Sequence, residues 1–117
     1  EAGGDISAAD YIAMHREREA TCAAVQAVTR PFDALLVPTS PTVPQKIAPL
    51  EGIETLMKAS ARALRNTALS NYLDRPTVTI PCHQAGSAPV GLSLIGSRRH
   101  DRRLLAIAAG VEGIVRG

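Results

Sequence analysis

"RPTVTIPCHQAGSAPVGLSLIG", residues 75–96, is the stretch from which the fold can be read. Thr77-Val78-Thr79-Ile80 alternates polar and apolar side chains, and so does Gly91-Leu92-Ser93-Leu94. That period of two marks half-buried β-strands. Val78 and Ile80 then share one face, with Thr77 and Thr79 on the other. A connection of small and turn-forming residues joins the strands into a hairpin. It also holds Cys82, His83, Gln84 and Ser87, residue types that do chemistry, so the hairpin is either an active site or the scaffold beside one.

Upstream of the hairpin, residues 53–73 read as a helix. Met57, Ala61, Leu64, Ala68 and Tyr72 recur at helical spacing and form one apolar stripe, with Asn66, Thr67, Ser70 and Asn71 on the neighbouring face. Before that helix, Pro38, Pro41, Pro44 and Pro49 make residues 38–52 an irregular segment kept stiff by proline. Ala34-Leu35-Leu36-Val37, bounded by Asp33 and Pro38, is an unbroken apolar run, which suits a central strand covered on both faces. A long helix precedes it. Ser7-Ala8-Ala9-Asp10 has the form of a capping box with Asp in place of Glu or Gln, and no Pro or Gly interrupts the chain until Pro31. The last helix begins near Asp101, with Leu104, Ala108 and Val111 on one stripe and Gly110 and Gly113 weakening its end.

The order is therefore helix, strand, loop, helix, strand, strand, helix. Three strands make a small sheet for three helices, and covering both faces of the 34–37 strand is expected to take strands that these 117 residues do not contain. The chain opens at Glu1 rather than Met, so residues ahead of it are expected to have been removed or omitted.

Composition narrows the function classes. With 45% hydrophobic and 21% charged residues the chain is of ordinary globular make-up, and no apolar run approaches the roughly 18 residues of a membrane span. Net charge is +2, and eleven of the thirteen basic side chains are arginine. The one dense basic cluster, Arg98-Arg99-His100-Asp101-Arg102-Arg103, reads as a solvated face. Nucleic-acid binding needs a longer basic stripe with aromatic platforms, and the only aromatic residues are Tyr11, Phe32 and Tyr72. Cys22 and Cys82 fit reduced thiols in a cytoplasm better than a disulfide framework.

No self-contained active site follows from spacing. Cys82 and His83 are adjacent on an extended backbone, so their side chains point apart, and a thiol at a strand end is the simpler reading. The three histidines are too scattered for metal ligation. Ser87 has no nucleophile-elbow pattern around it, and neither Lys46 nor Lys58 lies in a Gly/Ser-rich setting suited to a lysine base.

Four segments in order nevertheless carry a family resemblance: "FDALLVPTSPTVP", "RNTALSNYLDRPTVTIPC", "APVGLSLIG" and "DRRLLAIAAGVE". Together, over about residues 5 to 115, they resemble the C-terminal portion of the amidase signature family. The Asp33-to-Pro41 stretch matches its Asp-apolar strand running into Pro-Thr-x-Pro. Asn66, Thr67, Asn71 and Pro81 match its Asn-Thr…Asn helix and following strand. Pro89, Val90 and Gly91 match a Pro-x-Gly strand, and Leu104, Leu105 and Glu112 match the pattern of its last helix. The resemblance implies an α/β fold, a mixed β-sheet flanked by helices, of which the chain supplies the last strands.

It also implies hydrolysis of carboxamide C–N bonds by a nucleophilic Ser, a bridging Ser and an unprotonated Lys, with no cofactor and no metal. The family's three catalytic residues match no position here, so the catalytic part is expected upstream and this chain alone is expected to be inactive. What carries over is positional: Thr39, Ser40, Asn66 and Thr67 are placed at the rim of a substrate pocket. The implied partners are a small-molecule amide, through the complete enzyme, and the remainder of the fold or another copy at exposed sheet surface. Neither nucleic acid nor membrane is among them, and the setting is cytoplasmic. The competing readings are a non-catalytic α/β binding or assembly module and, further behind, a thiol hydrolase built on Cys82.

Overall fold

A computed structural model describes residues 3–47 and 52–115, and its element order is the one read from the sequence. The elements are α1 (Ala8–Thr29), β1 (Leu35–Pro38), α2 (Ile53–Tyr72), β2 (Thr77–Pro81), β3 (Gly91–Ile95) and α3 (Asp101–Val115). The strands form one sheet in the order β1-β3-β2, and both pairings are antiparallel. Thr79 stands opposite Ser93 across the hairpin, and Val37 stands opposite Ser93 from the other side. Of the prolines credited with stiffening the loop, Pro49 lies outside the described residues.

The central strand is β3, not the apolar 34–37 run. Leu94 and Ile95 are adjacent, so they point to opposite faces, and they are 0% and 1% exposed. In β1, by contrast, Leu36 is 60% exposed. Proline explains the placement. It brings no N–H to a ladder and so belongs on edge strands, and here β1 ends in Pro38 and β2 in Pro81, while β3 has none.

On one face of the sheet, α3 closes a dry core. Ile80, Leu94, Leu104 and Ala108 are buried together, and Ala34, Val78, Ile107 and Val111 pack around them. Burying each large side chain here contributes about 1.5–3 kcal/mol. The stripe read for α3 is the one the sheet uses. The helix continues through Gly110 and Gly113 to Val115.

The other side is built differently. Ser7 caps α1: its Oγ accepts from Asp10 N at 3.1 Å and donates to Asp10 Oδ2 at 2.6 Å. The helix buries no residue fully. Polar links dock it instead. Arg75 Nη2 donates to Gln26 Oε1 (2.9 Å) and Thr29 Oγ1 (2.7 Å), Cys22 Sγ to Tyr72 O (3.6 Å), and Arg18 Nη2 to Asn71 O (3.4 Å). In α2 the inward face is Asn66, Ser70 and the adjoining Leu73, at helical spacing. The apolar stripe read from the sequence exists but faces out: Met57, Leu64 and Tyr72 are 65%, 60% and 45% exposed.

The result is a flat molecule of 52 × 44 × 19 Å. Its radius of gyration is 17.5 Å, against about 13 Å for a compact chain of this length. Its accessible surface is 8922 Å², against about 6100 Å² for a compact monomer of this mass. Large apolar side chains are exposed on it, Tyr11, Met14, Leu36, Met57 and Leu64 among them. Surface of that kind is an interaction surface or an aggregation liability.

Candidate functional site

The candidate site grows from the end of β1. One residue past Pro38, Thr39 N still donates to Gly91 O at 2.9 Å, so the chain leaves the sheet beside the first residue of β3. Three hydroxyls gather there. Thr39 Oγ1 lies 2.6 Å from Ser93 Oγ, Thr79 Oγ1 lies 3.0 Å from the same atom, and Thr39 Oγ1 donates to Thr79 Oγ1 at 3.4 Å. The register brings one hydroxyl from each strand or strand end to the same spot. Gly91 makes room: a Cβ there would sit 2.8 Å from both Thr39 Oγ1 and the Thr79 Cγ2 methyl. A side chain at this position would push the 39–45 segment away from the sheet.

From Thr39 the chain turns. Ser40 Oγ accepts from Thr42 N at 3.4 Å, and Asn66 Nδ2 donates to Pro38 O at 2.7 Å, which ties the departing segment to α2. Between segment and helix lies a groove of about 360 Å³. Val43 and Pro44 form one wall, and Leu56, Ala59 and Ala63 the other. Ser40, Thr42, Gln45 and Ser60 add uncharged polar groups. The helix wall is the face i, i+3, i+4, i+7 starting at Leu56, and it is concave because three of its four side chains are Ala or Ser.

The four residues assigned to a pocket rim are thus placed individually. Ser40 lines the groove. Thr39 is turned into the hydroxyl cluster, and Asn66 braces the loop. Thr67 spends its hydroxyl on Leu64 O, 3.0 Å away on its own helix. Sequence reasoning missed Ser93, Thr79 and the groove walls. A signal was available for Gly91, because a glycine inside a strand pattern marks a close approach.

Other openings are less suited to chemistry. Two clefts of about 440 Å³ are larger, one bordered by Asp33 and Arg103, the other by Asp74 and Arg98. Each holds an ion pair, Arg103–Asp33 in the first and Arg98–Asp74 in the second, so these carboxylates already have cationic partners. Cys82 and His83 do not bond to each other. Cys82 Sγ donates to Val90 O at 3.6 Å, and His83 Nδ1 lies 3.4 Å from the same carbonyl, on an exposed loop. Among the described residues no three His, Cys, Asp or Glu side chains group as a metal site. Nor is any helix among them long and apolar enough to cross a membrane.

Comparison with known proteins bears on the same residues. The profile of the Amidase family matches residues 2–105. A 2-amino-5-chloromuconic acid deaminase of Comamonas testosteroni is 33% identical over 94% of this chain and 24% of its own length. A glutamyl-tRNA(Gln) amidotransferase subunit of Sulfurisphaera tokodaii is 32% identical over 78% of this chain and 19% of its own. An indoleacetamide hydrolase of Pseudomonas syringae pv. syringae is 34% identical over 66% and 17%. The chain thus spans a quarter or less of the length of these relatives. No solved structure matches it. One expectation is corrected: the resemblance is not to a C-terminal portion only, because the family profile runs over residues 2–105 and covers nearly the whole chain rather than a fragment at its end.

Proposed function

The chain belongs to the amidase family, and from that premise we propose that it forms a substrate-binding wall of a hydrolase of carboxamide C–N bonds. The groove between residues 40–45 and α2 holds the acyl side of the amide. The attacking serine, the bridging serine and the lysine base of the family come from residues that are not among these 117. The single observation that carries this reading is the groove itself. It is a preformed concavity whose described walls are uncharged, positioned by the bond from Asn66 to Pro38 O and by the Thr39–Ser93–Thr79 cluster.

The remaining side chains support the division of labour. Acyl transfer by a serine needs a base in hydrogen-bond reach of its hydroxyl. Among the described residues, the two buried serines are otherwise engaged: Ser70 Oγ donates to Thr67 O, and Ser93 Oγ is shared with Thr39 and Thr79. Lys58 is ion-paired with Glu54 at 2.6 Å on an exposed helix face. A non-catalytic binding module remains the competing reading, and the extended apolar surface speaks against it, because a free-standing module would cover that surface. A cytoplasmic setting belongs to the proposal, supported by two thiols, Cys22 and Cys82, that are not bridged.

The test is an exchange. These residues would replace the matching ones in an indoleacetamide hydrolase, and hydrolysis of an aryl amide would be followed in the chimera and in the 117-residue chain alone. The proposal expects turnover by the chimera and none by the isolated chain. Turnover by the isolated chain that survives purification controls would overturn it, as would a folded but inactive chimera.

A further inference from the structure

The lining of the groove makes a sharper statement than its position. Resting on the reading of this groove as the acyl site, we propose that it selects uncharged, largely apolar amides and turns away amides whose acyl part carries a carboxylate. Among the described residues, no ionisable side chain lines it. Val43, Pro44, Leu56, Ala59 and Ala63 offer hydrocarbon, and the polar contribution is confined to hydroxyls and one carboxamide. Of the charged residues of α2 near these walls, Arg62, next to Ala63, does not line the groove. Glu54 and Lys58 flank Leu56 in sequence but bond to each other and stand 80% and 77% exposed at the side chain. Lys46, next after Gln45, is exposed and does not line the groove.

A carboxylate entering these walls would give up its hydration with no cation among the described lining residues to replace it, and burying an ion without a partner is far more costly than burying a hydroxyl that keeps a hydrogen bond. An aryl or alkyl group gains from the same transfer. The space of about 360 Å³ lies near the lower end of small-molecule sites, which run from roughly 300 to 1,000 Å³, so it suits one ring system rather than an extended chain.

The experiment is a titration of the isotopically labelled 117-residue chain, read by the amide resonances of residues 40–45 and 56–63. The probes are phenylacetamide, indole-3-acetamide and succinamate, the last an amide with a carboxylate on its acyl part. The two aryl acetamides are expected to move those resonances saturably, with dissociation constants of about millimolar order for ligands so small. Succinamate is expected to bind at least about tenfold more weakly. Ala63→Leu, which fills the groove from the helix side, should abolish the shifts, and Ala61→Leu, on the exposed side of α2, should leave them unchanged.

Equal or tighter binding of succinamate, saturable shifts elsewhere, or no saturable shift from either aryl acetamide would each overturn the inference. Its failure is distinct from failure of the proposed function. A chimera that hydrolyses aryl amides while the groove resonances stay still would sink only the substrate assignment. Groove binding with an inactive chimera would sink only the hydrolase reading.

Discussion

The two halves of this molecule hold together by different physics. On the side of the hairpin and α3, Ile80, Leu94, Leu104 and Ala108 form a dry, interlocked cluster. On the side of α1 and α2 the seams are polar: a guanidinium from Arg75 reaching Gln26 and Thr29, a thiol and a guanidinium on backbone carbonyls, and Asn66 on Pro38 O. Leu73 and Ile95 are buried on that side, but many of its apolar side chains, Met57 and Leu64 among them, face water. The difference teaches that the first half is a small core closed within the chain. The second presents its hydrophobic surface outward and positions a groove by directional bonds rather than by packing. That suits a site wall, because hydrogen bonds set geometry where dispersion sets only proximity.

The largest effect that would break the comparison is a cavity in the dry half. Leu104→Ala should lower stability by about 2–5 kcal/mol in urea unfolding, since Leu104 is fully buried against Leu94 and Ile80. Leu64→Ala, a change of the same chemistry on the outward stripe of α2, should stay within about 0.5 kcal/mol. Comparable costs for the two would show that the stripe is covered in solution.

In the polar half, Arg75→Ala leaves Gln26 and Thr29 without their shared donor and should cost about 1–3 kcal/mol. Limited proteolysis should then cut α1 first, and cutting in α3 first would contradict the assignment of the seam. Gly91→Ala tests the join between sheet and groove. It should cost about 1–3 kcal/mol through the clash with Thr39 and Thr79, and Thr39→Ala in the same chain should recover part of that loss. Full stability in the single Gly91 variant would remove the hydroxyl cluster as a positioning device.

The smallest effect has the opposite sign. Gly110→Ala should raise stability by about 0.5–1 kcal/mol, because the residue lies inside α3 and an added Cβ meets nothing within 4 Å. A loss there would mean that the end of α3 packs against something this chain does not show.

Of the fold, the elements were legible and their neighbours were not. Period-two alternation at 77–80 and 91–94 located the hairpin, and the spacing of Leu104, Ala108 and Val111 located the buried face of α3. The 34–37 run misled, because unbroken hydrophobicity was read as burial, whereas Pro38 keeps β1 at an edge. The α2 stripe misled in the other direction. Its period was right, but the face turned inward is the one carrying Asn66 and Ser70, which have carbonyls to bond. Of the site, the resemblance offered Thr39, Ser40, Asn66 and Thr67 as a pocket rim, which stays a proposal; that Asn66 bonds Pro38 O came only from the structure. Ser93 and Thr79 lay beyond its reach, because their meeting depends on strand register rather than on any local pattern.

Order of elements, their types and the buried stripe of α3 were therefore determined by the amino-acid sequence alone, since periodicity and capping act within a few residues of one another. Which strand lies in the middle, which side of α2 turns inward, and that a groove opens beside Ser40 were decided only in three dimensions. The physical reason is distance along the chain: these outcomes rest on pairings such as Asn66 with Pro38 and Thr39 with Ser93, which lie 28 and 54 residues apart.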